Sequence, residues 1–336
     1  MFRPRQFAFL CFLIAAFSQP VLAQAAAASR SSPSPSPAIR VRTNLVYVGV
    51  NVTDSHGRFV PGLRRRDFEI FDNGVRQPIA DFASDDSPAE VVLLIEDGLA
   101  DFLMEKIQRS LLVDAGLLVG RLPPQDRVAV LTYAGRTEVV SGFTADKRAT
   151  RLVLARLNDD LAAGGVASGS LDLSASLAAT LDWLSVFPGP KTIVLFSTGF
   201  DSTSPQAWQA VRSRIAASDV RILAVSSIGD LRSLPKRRHL SPDDRDERAF
   251  VNQGIAAGDQ SLAQLSSLTG GRAYFPKNGK DFARVYSQIF QQIRGQYTLA
   301  FAPASLDGRL HSLAVKVKRR GCRVGHRQAY LAALAP

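Results

Sequence analysis

Residues Val91-Val92-Leu93-Leu94-Ile95 are five consecutive branched apolar side chains, closed by Glu96-Asp97-Gly98. A strand covered by helices on both faces of a parallel sheet reads in this way. Apolar spacing of helical period follows from Phe102 to Arg121. Further strands are predicted at Val128–Tyr133, Thr192–Ser197 and Ile222–Ser226, with a short one at Ala273–Phe275. Between them the pattern predicts helices at Lys147–Leu157, Leu171–Phe187, Pro205–Ser218 and Gln260–Thr269. Strands alternating with helices imply a doubly wound, mostly parallel α/β sheet with helices on both faces. Ligands of such sheets meet the loops at the carboxyl ends of the strands. The loop from Glu96 to Asp101 is therefore the first place to look for function.

Both flanks of this region change to period two. Residues 40–52 alternate apolar and polar positions, Asp54-Ser55-His56-Gly57 is a turn cluster, and Phe59-Val60 resumes an extended run. Phe68, Ile70 and Asp72 share a face before the tight hairpin turn Asp72-Asn73-Gly74, and Ile79–Phe82 returns. After an amphipathic helix over Lys280–Arg294, Tyr297–Ala302 and Leu310–Val317 read as a β pair, with a final strand at Gln328–Ala333. An isolated hairpin is only marginally stable. The N- and C-terminal strands are therefore expected to build one small antiparallel unit beside the α/β domain. The stretch Gly229–Gln260, rich in Arg, Lys, Asp and Pro, reads as a solvated insertion loop.

The first residues change the picture of where the chain works. Arg3 and Arg5 precede an apolar run from Phe7 to Phe17, and Val21-Leu22-Ala23 offers small residues for a signal peptidase. This is the pattern of a secretory signal cleaved after Ala23; eleven apolar residues fall short of the roughly 20 needed to span a bilayer. The Ala-rich, Ser-Pro-repeating segment 24–39 is a tether. The organisation expected is thus a signal (1–23), a linker (24–39), an N-terminal β unit (40–84), the α/β domain (88–294) and C-terminal strands (295–334). The chain of 336 residues carries a formal net charge of +11, reduced to +9 without Arg3 and Arg5. That excess favours acidic partners such as an anionic envelope polymer. Of two cysteines, Cys11 leaves with the signal and Cys322 remains as a buried or half-buried strand residue.

Eight fragments in order resemble the von Willebrand factor type A (VWFA) domain, and more narrowly the VWFA-related proteins of acidobacterial type. They are Thr43–Val46, Gly62-Leu63 with Asp67–Gly74, Val91–Gly98, Asp126–Val130, Gly164-Gly165, Leu195–Gly199, Thr269–Pro276 and Arg294–Tyr297. The resemblance implies a metal-ion-dependent adhesion site: Asp-x-Ser-x-Ser after the first strand, a Thr in a second loop, and an Asp ending a later strand. A hard dication wants oxygen ligands in octahedral array and keeps a position for a partner's carboxylate. Here Glu96 stands at the first Asp, Gly98 and Ala100 at the two serines, Val166 at the threonine and Thr198 at the last Asp. The matched positions spell a degenerate adhesion site. A rearranged Mg²⁺ or Ca²⁺ site would have to be rebuilt from Glu96, Asp97, Asp201 and Ser168 or Ser170.

No other constellation competes. His56, His239, His311 and His326 lack ligand spacing or a nucleophile beside them and read as surface residues. The glycine-rich run Gly164–Ser170 lacks the Gly-Lys-Ser/Thr ending of a phosphate loop and follows no strand. Lys316, Lys318, Arg319, Arg320, Arg323 and Arg327 form a basic cluster, read first as a solvated edge that discourages strand pairing. Nucleic acid is not expected, since no aromatic residues interleave the cations. The expectation is an exported, non-enzymatic protein-interaction or adhesion module at the cell envelope. It needs no cofactor and uses the loops Glu96–Asp101, Gly164–Ser170 and Thr198–Ser204.

Overall fold

The computed structural model describes residues 45–85, 88–97, 112–113, 115–162, 171–187, 190–201, 204–228, 242–277 and 279–332. The chain separates into two units, residues 1–42 and 43–336, and the description concerns the second. The signal, the linker, Gly98, Ala100, Val166 and Ser168 lie outside the described residues.

The central sheet is built from β5 (Glu90–Glu96), β6 (Arg127–Tyr133), β7 (Thr137–Thr144), β8 (Lys191–Ser197), β9 (Val220–Ser226) and β10 (Ala273–Tyr274). Its order is β10-β9-β8-β5-β6-β7, and every pairing is parallel except that of β7. From β5 the chain steps to β6 on one side and later to β8 on the other, so the carboxyl end of β5 is the topological switch point.

Alternate side chains of each strand feed two separate cores. Val91, Leu93 and Ile95 face helical residues 115–121 (α1), α2 (Lys147–Ala162) and α6 (Gly279–Arg294). Val92 and Leu94 face α3 (Leu173–Leu184), α4 (Pro205–Ala217) and α5 (Pro242–Leu268). Each such side chain, removed fully from water, contributes about 1.5–3 kcal/mol, which is why the apolar run at 91–95 is continuous.

Two four-stranded antiparallel sheets form the second, smaller body. One has the order β13-β1-β11-β4, from Arg323–Gly325, Val46–Thr53, Gln296–Phe301 and Asp81–Asp85. The other has the order β14-β12-β2-β3, from Ala329–Leu331, Leu310–Val317, Phe68–Asp72 and Val75–Gln77. They share one core of Val48, Val50, Phe68, Ile70, Leu299 and Val315 around Tyr297. The Tyr297 hydroxyl donates to the Val60 carbonyl at 2.7 Å and accepts from Leu63 N–H at 3.2 Å. Positive φ at Asn73 (48°) and Gly74 (81°) supplies the mirror-image turn that the β2–β3 hairpin needs.

Four expectations are corrected. The presumed loop before Gln260 is helical from Pro242 onward, and α5 runs 27 residues. Its charges and Gly254 and Gly258 masked a periodicity that buries Ile255, Leu262 and Leu265. β7 went unread because an antiparallel edge strand exposes Val139 and Val140 and its register is broken by irregularities. Tyr297–Ala302 and Leu310–Val317 do not pair: β11 lies between β1 and β4, and β12 between β2 and β14. His311 is not a surface residue: it is 5% exposed.

Candidate functional site

Parallel pairing of β5 with β6 sets Glu96 beside Tyr133, and pairing with β8 brings it to Ser197 and Thr198 at that strand's end. The Glu96 carboxylate does not point into solvent; the residue is 3% exposed. Oε2 accepts from Tyr133 Oη at 2.9 Å, Ser197 Oγ at 2.8 Å and Thr198 N–H at 2.9 Å. Oε1 accepts from Thr198 Oγ1 at 2.8 Å. Tyr133 Oη and Ser197 Oγ also lie 2.8 Å apart, closing a triangle with Oε2. Ser197 Oγ further accepts Gly199 N–H, and Thr198 Oγ1 accepts Phe200 N–H.

Burial sets the electrostatics. It lifts the Glu96 carboxyl above its ordinary value, against the pull of the Ser197, Thr198 and Tyr133 hydrogen bonds. Burial also pushes the Tyr133 phenol well up, assisted by the charges of Glu96 and Asp201. Hydroxyl, carboxylate and phenol together resemble a nucleophile with its base. Yet Ser197 and Thr198 are withdrawn from solvent as fully as Tyr133. What this arrangement can do is hold two strand ends together.

The neighbouring acids behave differently. Asp97 N–H donates to the Tyr133 carbonyl at 2.7 Å. The Asp97 carboxyl is half-buried and raised to about 6 by desolvation first, then by the charges of Glu138 and Asp160. Its Oδ1 has no hydrogen-bond partner among the described residues. Asp201 is half-buried on the segment after β8. Gly98, Ala100, Val166 and Ser168 lie outside the described residues.

Among the described residues, the groups at this edge suit a dication poorly. It requires several oxygens presenting lone pairs in near-octahedral array. The groups around Glu96 instead present hydrogens: two hydroxyls, a phenol and an N–H, all turned toward its oxygens. Among the described residues no three His, Cys, Asp or Glu side chains are grouped to hold a metal. Thr198, at the distal acid's place, gives its proton to the very carboxylate that a metal would share.

Sequence reasoning passed over two parts of this edge. Tyr133 closes the apolar strand predicted at Val128–Tyr133, and nothing local in that pattern marks its hydroxyl as a partner of Glu96. The second is α5, whose Gly258 packs on the loop after β8. A Cβ on Gly258 would stand 2.6 Å from the Thr198 carbonyl, and one on Gly199 would stand 2.4 Å from the Gly258 carbonyl. The spacing Gly254-x-x-x-Gly258 was the available signal.

The basic cluster divides. Lys316, Lys318, Arg319 and Arg320 are exposed at the outer face and end of β12, with the Lys316 ammonium 4.8 Å from the Phe71 ring centre. Arg323 is exposed on β13, in the other sheet. Arg327 leaves the cluster altogether: its side chain is largely buried, pairs with Asp219 and donates to the Tyr47 carbonyl at 2.7 Å. Cys322 is half-buried against the sandwich core.

Neither a family model nor a curated protein sequence matches the chain. Among solved structures it is similar to a von Willebrand factor type A protein from Catenulispora acidiphila at 11% identity, covering 86% of this chain and 75% of that one, with a TM-score of 0.44. It is similar to an aerotolerance-related membrane protein from Bacteroides fragilis at 13% identity, covering 61% and 99%, with a TM-score of 0.41. A third likeness is to BatB from Bacteroides thetaiotaomicron at 12% identity, covering 60% and 97%, with a TM-score of 0.40. The central domain is a doubly wound, mostly parallel α/β sheet with one antiparallel edge strand and a helix layer on each face.

Proposed function

We propose that the chain is an exported, non-enzymatic protein-interaction or adhesion module that engages its partner without a metal ion. The observation that carries this reading is the enclosure of Glu96. The acid and the hydroxyl at the positions matching the family's metal site bond to each other and are withdrawn from solvent. With no ion to bridge, contact rests on shape and polar complementarity across an interface. The segments after β5 and β8 and the glycine-rich run 164–170 supply it. Export is supported by the signal-like residues 1–23, and no described helix is long and apolar enough to cross a membrane.

Calorimetry and thermal unfolding with Mg²⁺, Mn²⁺ and Ca²⁺, combined with capture from an envelope fraction in the presence or absence of chelator, test this reading. Metal-free binding predicts no saturable heat, no shift in melting temperature, and capture of the same partner with chelator present. A stabilising, stoichiometric metal that is lost in Glu96→Gln and Asp201→Asn would instead establish a rearranged metal-dependent adhesion site.

A second contact is favoured by the charge on the sandwich. Among the described residues Arg65, Arg66, Arg319 and Arg320 have no carboxylate partner, and Arg65 and Arg66 line an open cavity of about 810 Å³ with Arg64, Arg76 and Lys318. An anionic envelope polymer is the partner that such a face suits. Retention on immobilised polyphosphate should fall steeply between 50 and about 300 mM salt and weaken in the double variant Arg65→Ser/Arg66→Ser.

A further inference from the structure

At the opposite edge of the parallel sheet, where the strands begin, a cavity of about 580 Å³ lies between that edge and the sandwich. Its walls are Glu90, Arg127, Lys191, Thr192 and Arg221 from the sheet and Gln296 from the sandwich, with Asp219 and Arg327 at one side. Four cations thus face two acids.

The acids are already committed. Glu90 Oε1 pairs with Arg127 at 2.7 Å and Oε2 with Lys191 at 3.1 Å, while Asp219 pairs with Arg327. Among the described residues Arg221 is left with no carboxylate. It is 9% exposed, its Nη2 donates to Thr192 Oγ1 at 3.2 Å, and its Nε is buried without a partner among the described residues. Burial draws its pKa down to about 10, so it is still a cation at neutral pH. A charge kept out of water without a counter-ion is costly. Removal of one partner from a buried pair produces the same situation, and here the missing partner has room to arrive from outside the chain. The Gln296 side chain, which packs over Gly49, has amide donors and an acceptor not used by the described protein and lines the same space.

We propose that this cavity is a binding site for a small organic dianion bearing phosphate or carboxylate oxygens. Arg221 provides the unspent charge and Gln296 orients the uncharged body of the ligand. The excess of two positive charges matches a dianion, and the volume lies within the usual range for small-molecule sites of roughly 300–1,000 Å³. The site lies at the end of the sheet away from Glu96, so its fate is independent of how the partner-binding edge behaves.

Calorimetry at fixed ionic strength with glycerol 3-phosphate, succinate and, as neutral control, glycerol tests the proposal on the full chain. One or both dianions should bind saturably at one site per chain with a Kd below 1 mM, and glycerol should not. Arg221→Gln should weaken that binding at least tenfold. Gln296→Glu, which offers Arg221 an internal carboxylate, should abolish it. If either variant does not fold, the other decides, and Arg136→Gln at the far edge should bind as the unaltered chain does. Binding of glycerol 3-phosphate alone identifies a phosphate site, and of succinate alone a dicarboxylate site. Absence of saturable binding by either, or binding unchanged in the folded variants, overturns the proposal.

Discussion

Thr198 clasps both oxygens of Glu96: its hydroxyl donates to Oε1 at 2.8 Å and its backbone N–H to Oε2 at 2.9 Å. One residue past β8 thereby fixes the last residue of β5 across the switch point of the sheet. The extra methylene of Glu over Asp gives the carboxylate the reach to make this contact directly.

If the clasp is structural, its two halves differ in what they leave behind. Glu96→Ala strands four donors in a sealed space and should cost about 3–5 kcal/mol. Thr198→Val removes one donor and keeps the shape, costing about 1–3 kcal/mol. Urea unfolding measures both, and the double variant should lose less than the sum, because the two residues share one interaction.

Asp97 should make the protein less stable as pH rises. Its carboxyl titrates near the ordinary aspartate value of 3.8 when unfolded and at about 6 when folded. Between those values the folded state binds more protons, so stability falls through that window and stays low above it. The desolvated Glu96 acts in the same direction. Asp97→Asn, isosteric and uncharged, should therefore raise stability at pH 7 by on the order of 1 kcal/mol, allowing for solvent screening of a half-exposed group. Below pH 4 the variant and the parent should coincide. Thermal melts across pH 3.5–7.5 read this directly.

Gly258 reverses the usual rule for helices. Alanine in place of an interior helical glycine ordinarily stabilises by about 1 kcal/mol. Here the new Cβ would meet the Thr198 carbonyl at 2.6 Å, and backbone cannot give way as a side-chain tip can. Gly258→Ala should cost about 1–3 kcal/mol. Gly254→Ala, whose Cβ would rest 3.4 Å from the Phe200 ring, should be close to neutral. A gain for Gly258→Ala would mean that α5 does not lie against the clasp.

How far the chain could be read in advance follows from what each residue was asked to do. Val91–Ile95 had to be apolar on both faces, so β5 and the doubly wound sheet were plain from the sequence. α5 was hidden because a helix lying partly over a loop can be charged and carry glycines where it comes close. β7, exposed at an edge, had no alternation to show. At the site, the departures of Glu96 and Thr198 from the family's ligands could be seen. Their bond to each other could not, since it depends on which way a longer side chain turns. Tyr133 and Arg221 depend on register between strands far apart in sequence, and His311 on the meeting of two chain termini. None of these is local.

That meeting of termini sets the last expectation. Asp72, at the end of β2, accepts from Tyr330 Oη at 2.9 Å and lies 2.9 Å from His311 Nδ1, while His311 Nε2 lies 3.2 Å from Asp307. Asp72 and His311 are each 5% exposed and Tyr330 is 1% exposed. An N-terminal strand is thus pinned to two C-terminal ones through a buried acid. Asp72→Ala leaves a histidine and a phenol without their common acceptor and should cost about 3–5 kcal/mol; Tyr330→Phe, which removes one hydroxyl from that acceptor, should cost about 1–2 kcal/mol. Loss of the chain after Arg327 removes Tyr330 and the buried Ala332 together, uncovering the core that the two sheets share. Hydrogen exchange should then quicken in β2 and β12 while the amides of β5 and β8 stay protected, because the central sheet keeps its own two cores. Equal loss of protection in both bodies would mean that the sandwich and the α/β domain fold as one cooperative unit.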